Sequence, residues 1–294
     1  LCPVPGYDRH FAITEHFGIE MINVPMYEDG PDMDMIEKLV KEDDSIKGIW
    51  CVPKYSNPTG ATYSDEVVRR MAALKPAAID FRIYWDNAYA IHHLYEDKQE
   101  QILDIISECE KAGNPNMVYE FASTSKVTFS GSGVAAMASS VENVKSILSQ
   151  MTIQTIGYDK INQLRHVRYF KNFDGVKAHM MKHAEKMRPK FKAVLDMLES
   201  ELKPAKIATW TNPLGGYFIS FDVMNGCAKK IVSMCKDAGM VLTGAGATFP
   251  YGIDPDDKNI RIAPSFATPE ELNEASRILI VCTKIATIEK MLEA

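Results

Sequence analysis

Strand-like and helix-like segments alternate along the first half of this 294-residue chain. Short apolar runs are each followed by an amphipathic stretch, which is the pattern of consecutive βαβ units. The predicted strands cover residues 18–24, 48–53, the run that ends at Asp86, and 117–122, and the predicted helices cover 33–41, 65–74 and 101–112. Ser64 is the expected N-cap of the second of these helices. This order predicts an α/β domain with a mostly parallel sheet covered by helices on both faces.

The pattern changes from about residue 174. A helix is predicted over 176–202, and Pro189 is expected to kink it. Strands are predicted at 207–210, 217–223, 240–243 and 259–263, with a helix at 227–238. The last helix begins with Thr268 as N-cap, Pro269 at its first position and Glu271 completing a capping box. We therefore expect an α/β domain over residues 1–165 and a smaller α+β domain over 166–294, with the boundary within 158–172.

Composition and charge exclude several classes of function. The net charge of −6, from 33 basic and 39 acidic residues, argues against a nucleic-acid partner. No apolar run approaches the roughly 18 residues of a membrane span. The six cysteines form no Cys-x-x-Cys pair and have no zinc-like spacing with histidine, so we expect no metal site and a reducing, cytoplasmic location. The chain opens on a proline-rich turn without methionine, which suggests that N-terminal sequence is missing.

A lysine closes one of the apolar runs and precedes a turn-forming stretch. The run ends in Ser123-Thr124-Ser125-Lys126, and residues 130–133 read Ser-Gly-Ser-Gly. A lysine at the end of a strand is suited to carry a cofactor aldehyde as a Schiff base, while the serines and backbone amides receive the phosphate of that cofactor. Taken alone, the motif fits a solvated lysine near a turn better, because lysines are seldom buried.

Two upstream segments offer partners for a pyridine aldehyde. Asn57, in the sequence Ser-Asn-Pro-Thr-Gly after a predicted strand, could donate a hydrogen bond to a ligand oxygen, although the same sequence also fits a simple turn. Asp86 ends the next apolar run, at the strand end where open α/β sheets bind ligands. A protonated pyridine nitrogen would be a suitable partner for its carboxylate. Tyr89 could hydrogen-bond the phenolic oxygen. A helix N-cap and a core aromatic residue are the alternatives for Asp86 and Tyr89.

The three motifs occur together in a characteristic order. Asn57-Pro58-x-Gly60, Asp86-x-Ala88-Tyr89 and Ser123-x-Ser125-Lys126, together with Gly215-Gly216-Tyr217-Phe218 and Arg261, resemble the fold-type-I aminotransferases that use pyridoxal 5'-phosphate. The resemblance spans essentially the whole chain and implies a large domain of the PLP-transferase type. The segments over residues 2–11 and 159–166 look most like the MocR-type aspartate aminotransferases. The resemblance further implies a homodimer that acts on a small amino acid and a 2-oxo acid.

The resemblance also implies roles for single residues at the cofactor ring. Lys126 would hold the cofactor and then move the Cα proton as general base and acid. Asp86 would keep the pyridine nitrogen protonated, so that the ring can accept electrons from the carbanion. Asn57 and Tyr89 would hydrogen-bond the phenolic oxygen of the ring. The expected catalytic set is therefore Lys126, Asp86 and Tyr89.

Further roles concern the ring face, the phosphate and the substrate. Tyr7 would stack on the ring, and the alternative is an aromatic residue in a loop. His10 would support Asp86, and the alternative is a solvated imidazole. Ser123 and Ser125 would bind phosphate. Arg261 would bind the substrate α-carboxylate through a bidentate fork that lysine cannot copy, although a surface arginine is the alternative. Asn57 would join Arg261 at the substrate.

Two features depart from the pattern of this family. Most relatives place an arginine eight residues after the Schiff-base lysine, where it pairs with the phosphate, and this chain has Val134 there. Phosphate binding must then rest on hydroxyls, backbone amides or another basic residue, for which Arg165 and Lys160 are candidates, within the subunit or across a dimer interface. Relatives also carry a further N-terminal stretch with a glycine-rich phosphate turn, so the chain as given could be inactive.

Several functional hypotheses follow. The leading one is transamination between an α-amino acid, expected to be aspartate, and a 2-oxo acid, expected to be 2-oxoglutarate. The same residues would serve a β-lyase or a decarboxylase, because the cofactor stabilises a carbanion in each reaction. An aminotransferase-like effector domain of a transcription regulator is an alternative from another class. A catalytically inactive homologue is a third, and the presence of Lys126, Asp86 and Arg261 argues against it.

Overall fold

The computed structural model describes residues 1–293, and their first half forms a four-stranded sheet flanked by helices. The elements of this half are β1 (Cys2–Val4), α1 (Asp8–His16), β2 (Asn23–Tyr27), β3 (Gly30–Pro31), α2 (Met33–Glu42), β4 (Gly48–Cys51), α3 (Asp65–Ala72), β5 (Arg82–Asp86), α4 (Ile105–Lys111), β6 (Val118–Ser123) and β7 (Ala135–Ala138). The main sheet has the order β4-β5-β6-β7, and a smaller sheet has the order β1-β2-β3.

Three parallel strands form the centre of the main sheet. β4, β5 and β6 run parallel, and β7 pairs antiparallel with β6 at the edge. Ile49, Ile83 and Trp85 are almost fully buried and pack with α3 in one core cluster. Because parallel strands end at the same edge of a sheet, the register of Asp86 beside Phe121 brings the ends of β5 and β6 together.

The second half consists of helices around an antiparallel sheet. Its elements are α5 (Val141–Gln154), α6 (Lys160–Phe170), α7 (Phe173–Glu201), β8 (Ala208–Trp210), β9 (Ile219–Val223), α8 (Ala228–Asp237), a 3₁₀ turn (Pro250–Gly252), β10 (Asn259–Ile262) and α9 (Pro269–Leu292). The sheet has the order β10-β9-β8, and α7 and α9 pack together in a second core cluster with it. None of the helices in residues 1–293 combines the length and the apolar character that crossing a bilayer requires.

The fold class predicted from the sequence is confirmed, and so are several local signals. Ser64 caps α3 by accepting a hydrogen bond from Val67, and Thr268 and Glu271 form the predicted capping box of α9. α6 runs through the segment in which we predicted the domain boundary. The division of the chain near residue 165 stays a prediction.

Two predictions for single elements are wrong. The strand predicted over 18–24 begins only at Asn23, because the chain leaves α1 through a turn in which the Gly18 amide donates to the Glu15 carbonyl. Residues 240–243 form no strand, since they have no ladder partner and Val241 is exposed. The helix predicted over 176–202 is present as α7, with Pro189 between the buried Met187 and Phe191, and the kink expected at the proline stays a prediction.

Candidate active site

The carboxyl ends of β4, β5 and β6 gather most of the predicted site residues at one edge of the sheet. Asp86 is the last residue of β5, and Ser123 is the last residue of β6. Asn57 lies in the buried loop that follows β4. Such an edge is the usual ligand site of an open parallel sheet, because the loops that leave the strands there enclose a crevice.

Asp86 is held by a histidine from the N-terminal helix. The Nε2 atom of His10 lies 2.9 Å from Oδ2 of Asp86, and His10 is buried. Its imidazole stacks on Trp50 with 4.4 Å between the ring centroids, and Tyr7 meets it edge-on at 5.0 Å. An ionised carboxylate only accepts hydrogen bonds, so Nε2 is the donor. The predicted support of Asp86 by His10 thus has matching geometry.

Tyr89 lies close to the lysine and near Asp86. Burial, followed by the nearby Tyr7 and Asp86, raises the pKa of Tyr89 far above its usual value. The phenol therefore stays protonated and can donate a hydrogen bond. Nζ of Lys126 lies 5.2 Å from the centroid of the Tyr89 ring, within the range of a cation–π contact. Lys126 and Asp86 are thus both neighbours of Tyr89.

The backbone of Lys126 is fixed by two side chains that sequence reasoning did not assign. The hydroxyl of Tyr217 donates to the Lys126 carbonyl at 3.0 Å, and Nε2 of His92 lies 3.2 Å from the same oxygen. Tyr217 belongs to the motif Gly215-Gly216-Tyr217-Phe218, but the sequence alone assigned it no role. His92 follows Tyr89 by three residues, and this position just beyond a segment already singled out was its only signal in the sequence. Both rings meet Tyr89 edge-on, at 6.0 and 5.5 Å.

The turn that follows β6 is fixed by a further histidine. Nε2 of His166, on α6, lies 2.9 Å from the hydroxyl of Thr124 and 3.1 Å from that of Thr128. Its Nδ1 atom lies 2.8 Å from the carbonyl of Asn162 on the same helix. α6 therefore braces the turn that carries Lys126.

His92 makes the stability of the protein sensitive to acid. Burial lowers the pKa of His92 from 6.5 to about 4, so between these values the unfolded chain binds a proton that the folded chain excludes. Stability therefore falls as the pH falls through this window, by about 2 kcal/mol from this group between pH 7 and pH 5. We expect His92→Gln to reduce the difference in unfolding free energy between the two pH values by this amount, as measured by urea denaturation.

The exposed His16 supplies a matched control for this measurement, and His16→Gln should keep the wild-type difference. His93 has a pKa that burial also lowers to about 4, so His92→Gln should reduce the pH dependence without removing it. An unchanged difference in His92→Gln would contradict the assignment.

The two serines before Lys126 form a small hydroxyl cluster. Oγ of Ser123 donates to Oγ of Ser125 at 3.1 Å. A Cβ atom placed on Gly133 would lie 2.7 Å from Oγ and 2.9 Å from the amide nitrogen of Ser125, so only glycine leaves this space open. Val134, where relatives carry an arginine, donates its amide to the Thr124 hydroxyl. A concave group of hydroxyls and amides therefore follows β6.

Arg261 and Asn57 lie together in spite of their distance along the chain. Nη1 of Arg261, on β10, donates to Oδ1 of Asn57 at 3.3 Å and to Oδ1 of Asp8 at 2.8 Å. The guanidinium lies over the ring of Phe218 at 5.0 Å, and Phe218 packs in the same cluster as Tyr89 and Tyr7. Asp8 is a partner that sequence reasoning did not foresee.

The candidate basic residues and one wide cleft lie elsewhere. Lys160 and Arg165 are exposed on α6, and Arg165 lines a cleft together with Thr128 and Ser132, next to the turn that carries Lys126. A surface cleft of about 1130 Å³ is an open groove lined by charged residues such as Lys192 and Asp196, and no predicted site residue lines it. Chemistry, not cleft size, identifies the site.

Comparisons with known proteins show the family of this chain. The family model described as aspartate amino-transferase matches residues 1–294. The aspartate aminotransferase of Corynebacterium glutamicum is 50% identical over 289 residues, which are 98% of this chain and 66% of that protein. A Mycolicibacterium smegmatis sequence is 53% identical over 292 residues, 99% of this chain and 68% of its own length. The chain spans about two thirds of the length of these relatives.

Solved structures give the same picture. The crystal structure of a C. glutamicum aspartate transaminase has a TM-score of 0.96 at 50% identity, covering 98% of this chain and 68% of that chain. The Thermus thermophilus α-aminoadipate aminotransferase LysN, complexed with N-(5'-phosphopyridoxyl)-L-leucine, has a TM-score of 0.82 at 20% identity, covering 98% and 71%, and supports the fold alone. The expected aminotransferase class is confirmed, and the chain belongs to the aspartate aminotransferase family.

Proposed function

We propose that this protein transfers an amino group between aspartate and 2-oxoglutarate with pyridoxal 5'-phosphate as cofactor. The observation that carries the proposal is that Lys126 and Asp86 both lie near Tyr89, at the carboxyl edge of a parallel sheet. The choice of substrates rests on the similarity to the C. glutamicum aspartate aminotransferase. The regulatory alternative is not favoured, since the named relatives above are named for transamination.

The residues present fit the chemistry of this cofactor. The space that a Cβ atom on Gly133 would fill lies against the Ser125 hydroxyl and amide, which are donors of the kind that bind phosphate. Asp86 offers a carboxylate for a protonated ring nitrogen. Tyr89 offers a protonated phenol as a donor. Oδ1 of Asn57 accepts from Arg261, which leaves Nδ2 of Asn57 as the donor for the cofactor. Each polar part of the cofactor therefore has a partner of the right type.

When bound, pyridoxal phosphate supplies an aldehyde and a ring that stabilises the carbanion left when Cα loses its proton. In our proposal Lys126 would attach the cofactor, and its Nζ, once released, would take the proton from the substrate Cα and donate it to the carbon that came from the cofactor aldehyde. The hydrogen bonds from Tyr217 and His92 to the Lys126 carbonyl fix the backbone of this residue, so that Nζ can move while the Cα position stays fixed. Asp86, oriented by His10, stabilises positive charge on the ring nitrogen.

The same proposal assigns the remaining site residues. Tyr7 covers one face of the ring, Ser123 and Ser125 hold the phosphate, and Arg261 binds the substrate carboxylate. The positive charge that balances the cofactor phosphate would come from Arg165 or Lys160, either in the same subunit or in a second one. Exposed apolar side chains on α5 and α6, among them Ile153 and Val167, would be covered in a homodimer. The finer assignment to the MocR-type subgroup belongs to this proposal as well.

A coupled assay of the full-length protein tests the substrates. Aspartate and 2-oxoglutarate should give oxaloacetate at a rate that depends on added pyridoxal phosphate. Alanine in place of aspartate, at the same concentration, is the control donor and should react more slowly. If no oxaloacetate forms with the cofactor bound, the proposed substrate pair is wrong.

A further inference from the structure

The Arg261–Asp8 pair has a feature that the proposed function does not use. The carboxylate that contacts Arg261 is that of Asp8, a residue of the protein itself. It accepts from Nη1 of Arg261, and the same nitrogen also donates to Asn57. Nε of Arg261 is buried and has no hydrogen-bond partner among residues 1–293. The Arg261 side chain is 10% exposed, whereas that of Asp8 is 43% exposed. A nearly buried cation is therefore matched by a half-exposed anion.

The hydrogen bonding of this pair is incomplete. A guanidinium binds a carboxylate most strongly through two parallel N–H donors, and Asp8 contacts only one of its nitrogens. A buried donor without a partner costs free energy. An incoming carboxylate that uses two donors, including Nε, would satisfy the guanidinium better than Asp8 does.

Asp8 also has a second favourable position. It is the first residue of α1, and Tyr7, the N-cap of this helix, makes no side-chain capping hydrogen bond. The first amides of a helix are free donors, and the helix dipole favours a negative charge there. Asp8 released from Arg261 would therefore remain stabilised by its own helix.

We propose that Asp8 is an exchangeable internal carboxylate, which neutralises Arg261 in the free protein and yields to the carboxylate of the substrate. The inference rests on the proposed function, in which Arg261 receives that carboxylate. Asp8 thereby sets the affinity for substrate. It lowers the cost of keeping Arg261 buried without a ligand, and it competes with every carboxylate that binds.

Binding of succinate tests this competition without turnover, since succinate has neither an amino nor an oxo group to exchange. The titration uses calorimetry on the full-length protein with its cofactor. Asp8→Asn removes the charge and keeps the volume, and we expect it to bind succinate about fivefold more tightly, as for the loss of a partly exposed ion pair. Asp8→Ala should show the same direction, so the result does not depend on how well one variant folds.

Asp34 supplies the matched control. Like Asp8 it lies in the first turn of a helix and pairs with an arginine, here Arg70, but this pair is remote from the site. Asp34→Asn should bind succinate as the wild type does. Unchanged or weaker binding in both Asp8 variants would overturn the proposal, because Asp8 would then be a fixed support of Arg261.

Arg261→Gln separates this proposal from the function on which it rests. If Arg261 is the carboxylate site, this variant binds succinate more weakly than the wild type, and adding Asp8→Asn to it brings no further gain. A gain that persists in the double variant would overturn the proposal, since Asp8 would act on another group. Wild-type affinity in Arg261→Gln alone would instead overturn the assigned role of Arg261.

Discussion

Lys126→Ala is expected to abolish transamination, with kcat lowered by at least about a thousandfold, because the variant loses both the attachment point and the general base. The absorption band of the covalently bound cofactor should disappear from the spectrum of the purified full-length protein. Lys126 lies within a turn that Tyr217, His92 and the Thr124–His166 contact hold in place. Removal of a side chain that carries none of these bonds should leave the fold intact.

Lys54 is the control for this experiment, because it is a buried lysine in the same loop as Asn57. Its Nζ donates to the Ala90 carbonyl at 2.8 Å, and burial lowers its pKa, so it has the character of a reactive amine. Lys54→Met should keep the absorption band. Borohydride reduction followed by peptide mapping should find the cofactor on Lys126. Recovery of the label on Lys54 would show that the reactive lysine is misassigned.

Asp86→Asn should reduce kcat by on the order of a hundredfold to a thousandfold, the size typical of losing one preorganised charge or donor at a reacting centre. The asparagine keeps the shape of the side chain and a hydrogen-bond acceptor for His10, but it cannot stabilise a protonated ring nitrogen. His10→Gln should have a smaller effect, since it disturbs only the orientation of Asp86. Steady-state kinetics with saturating cofactor measures both.

Asp80→Asn gives the matched control for the charge change. Asp80 lies shortly before β5 and pairs with Lys47 at 2.8 Å on the protein surface. An isolated surface ion pair contributes little, so this variant should keep the wild-type kcat. Equal activity of Asp86→Asn and wild type would mean that the cofactor ring does not depend on this carboxylate.

Much of the site was accessible from the sequence, because chemistry at a strand end leaves a local pattern. An apolar run that ends in a carboxylate, such as the one before Asp86, predicts a buried strand with a polar tip. Arg261 could be named only through the resemblance to a family, since a lone arginine in a short apolar run has no local signal. The structure brings it to Asn57 across 204 positions of the chain.

The residues that support the site could not be predicted from the sequence for the same reason. His92 reaches the Lys126 carbonyl and Asp8 reaches Arg261 through contacts between elements that are remote in sequence. No spacing rule connects them, because their distance depends on how α1, the main sheet and the second half pack. The errors in secondary structure have a related origin. Residues 240–243 have the composition of a strand, but the fold gives them no strand partner.

The sequence by itself determined the alternation of strands and helices, the caps of α3 and α9, and the residue types at the strand ends. These features follow from local backbone preferences and hydrophobic periodicity, which act over a few residues. Only the tertiary structure decided the partners of other polar groups: Tyr217 for the Lys126 carbonyl and Asp8 for Arg261. Such pairs form because a polar or charged group that packing buries needs a hydrogen-bonding or charged partner. Packing also determines which groups are close enough to be that partner.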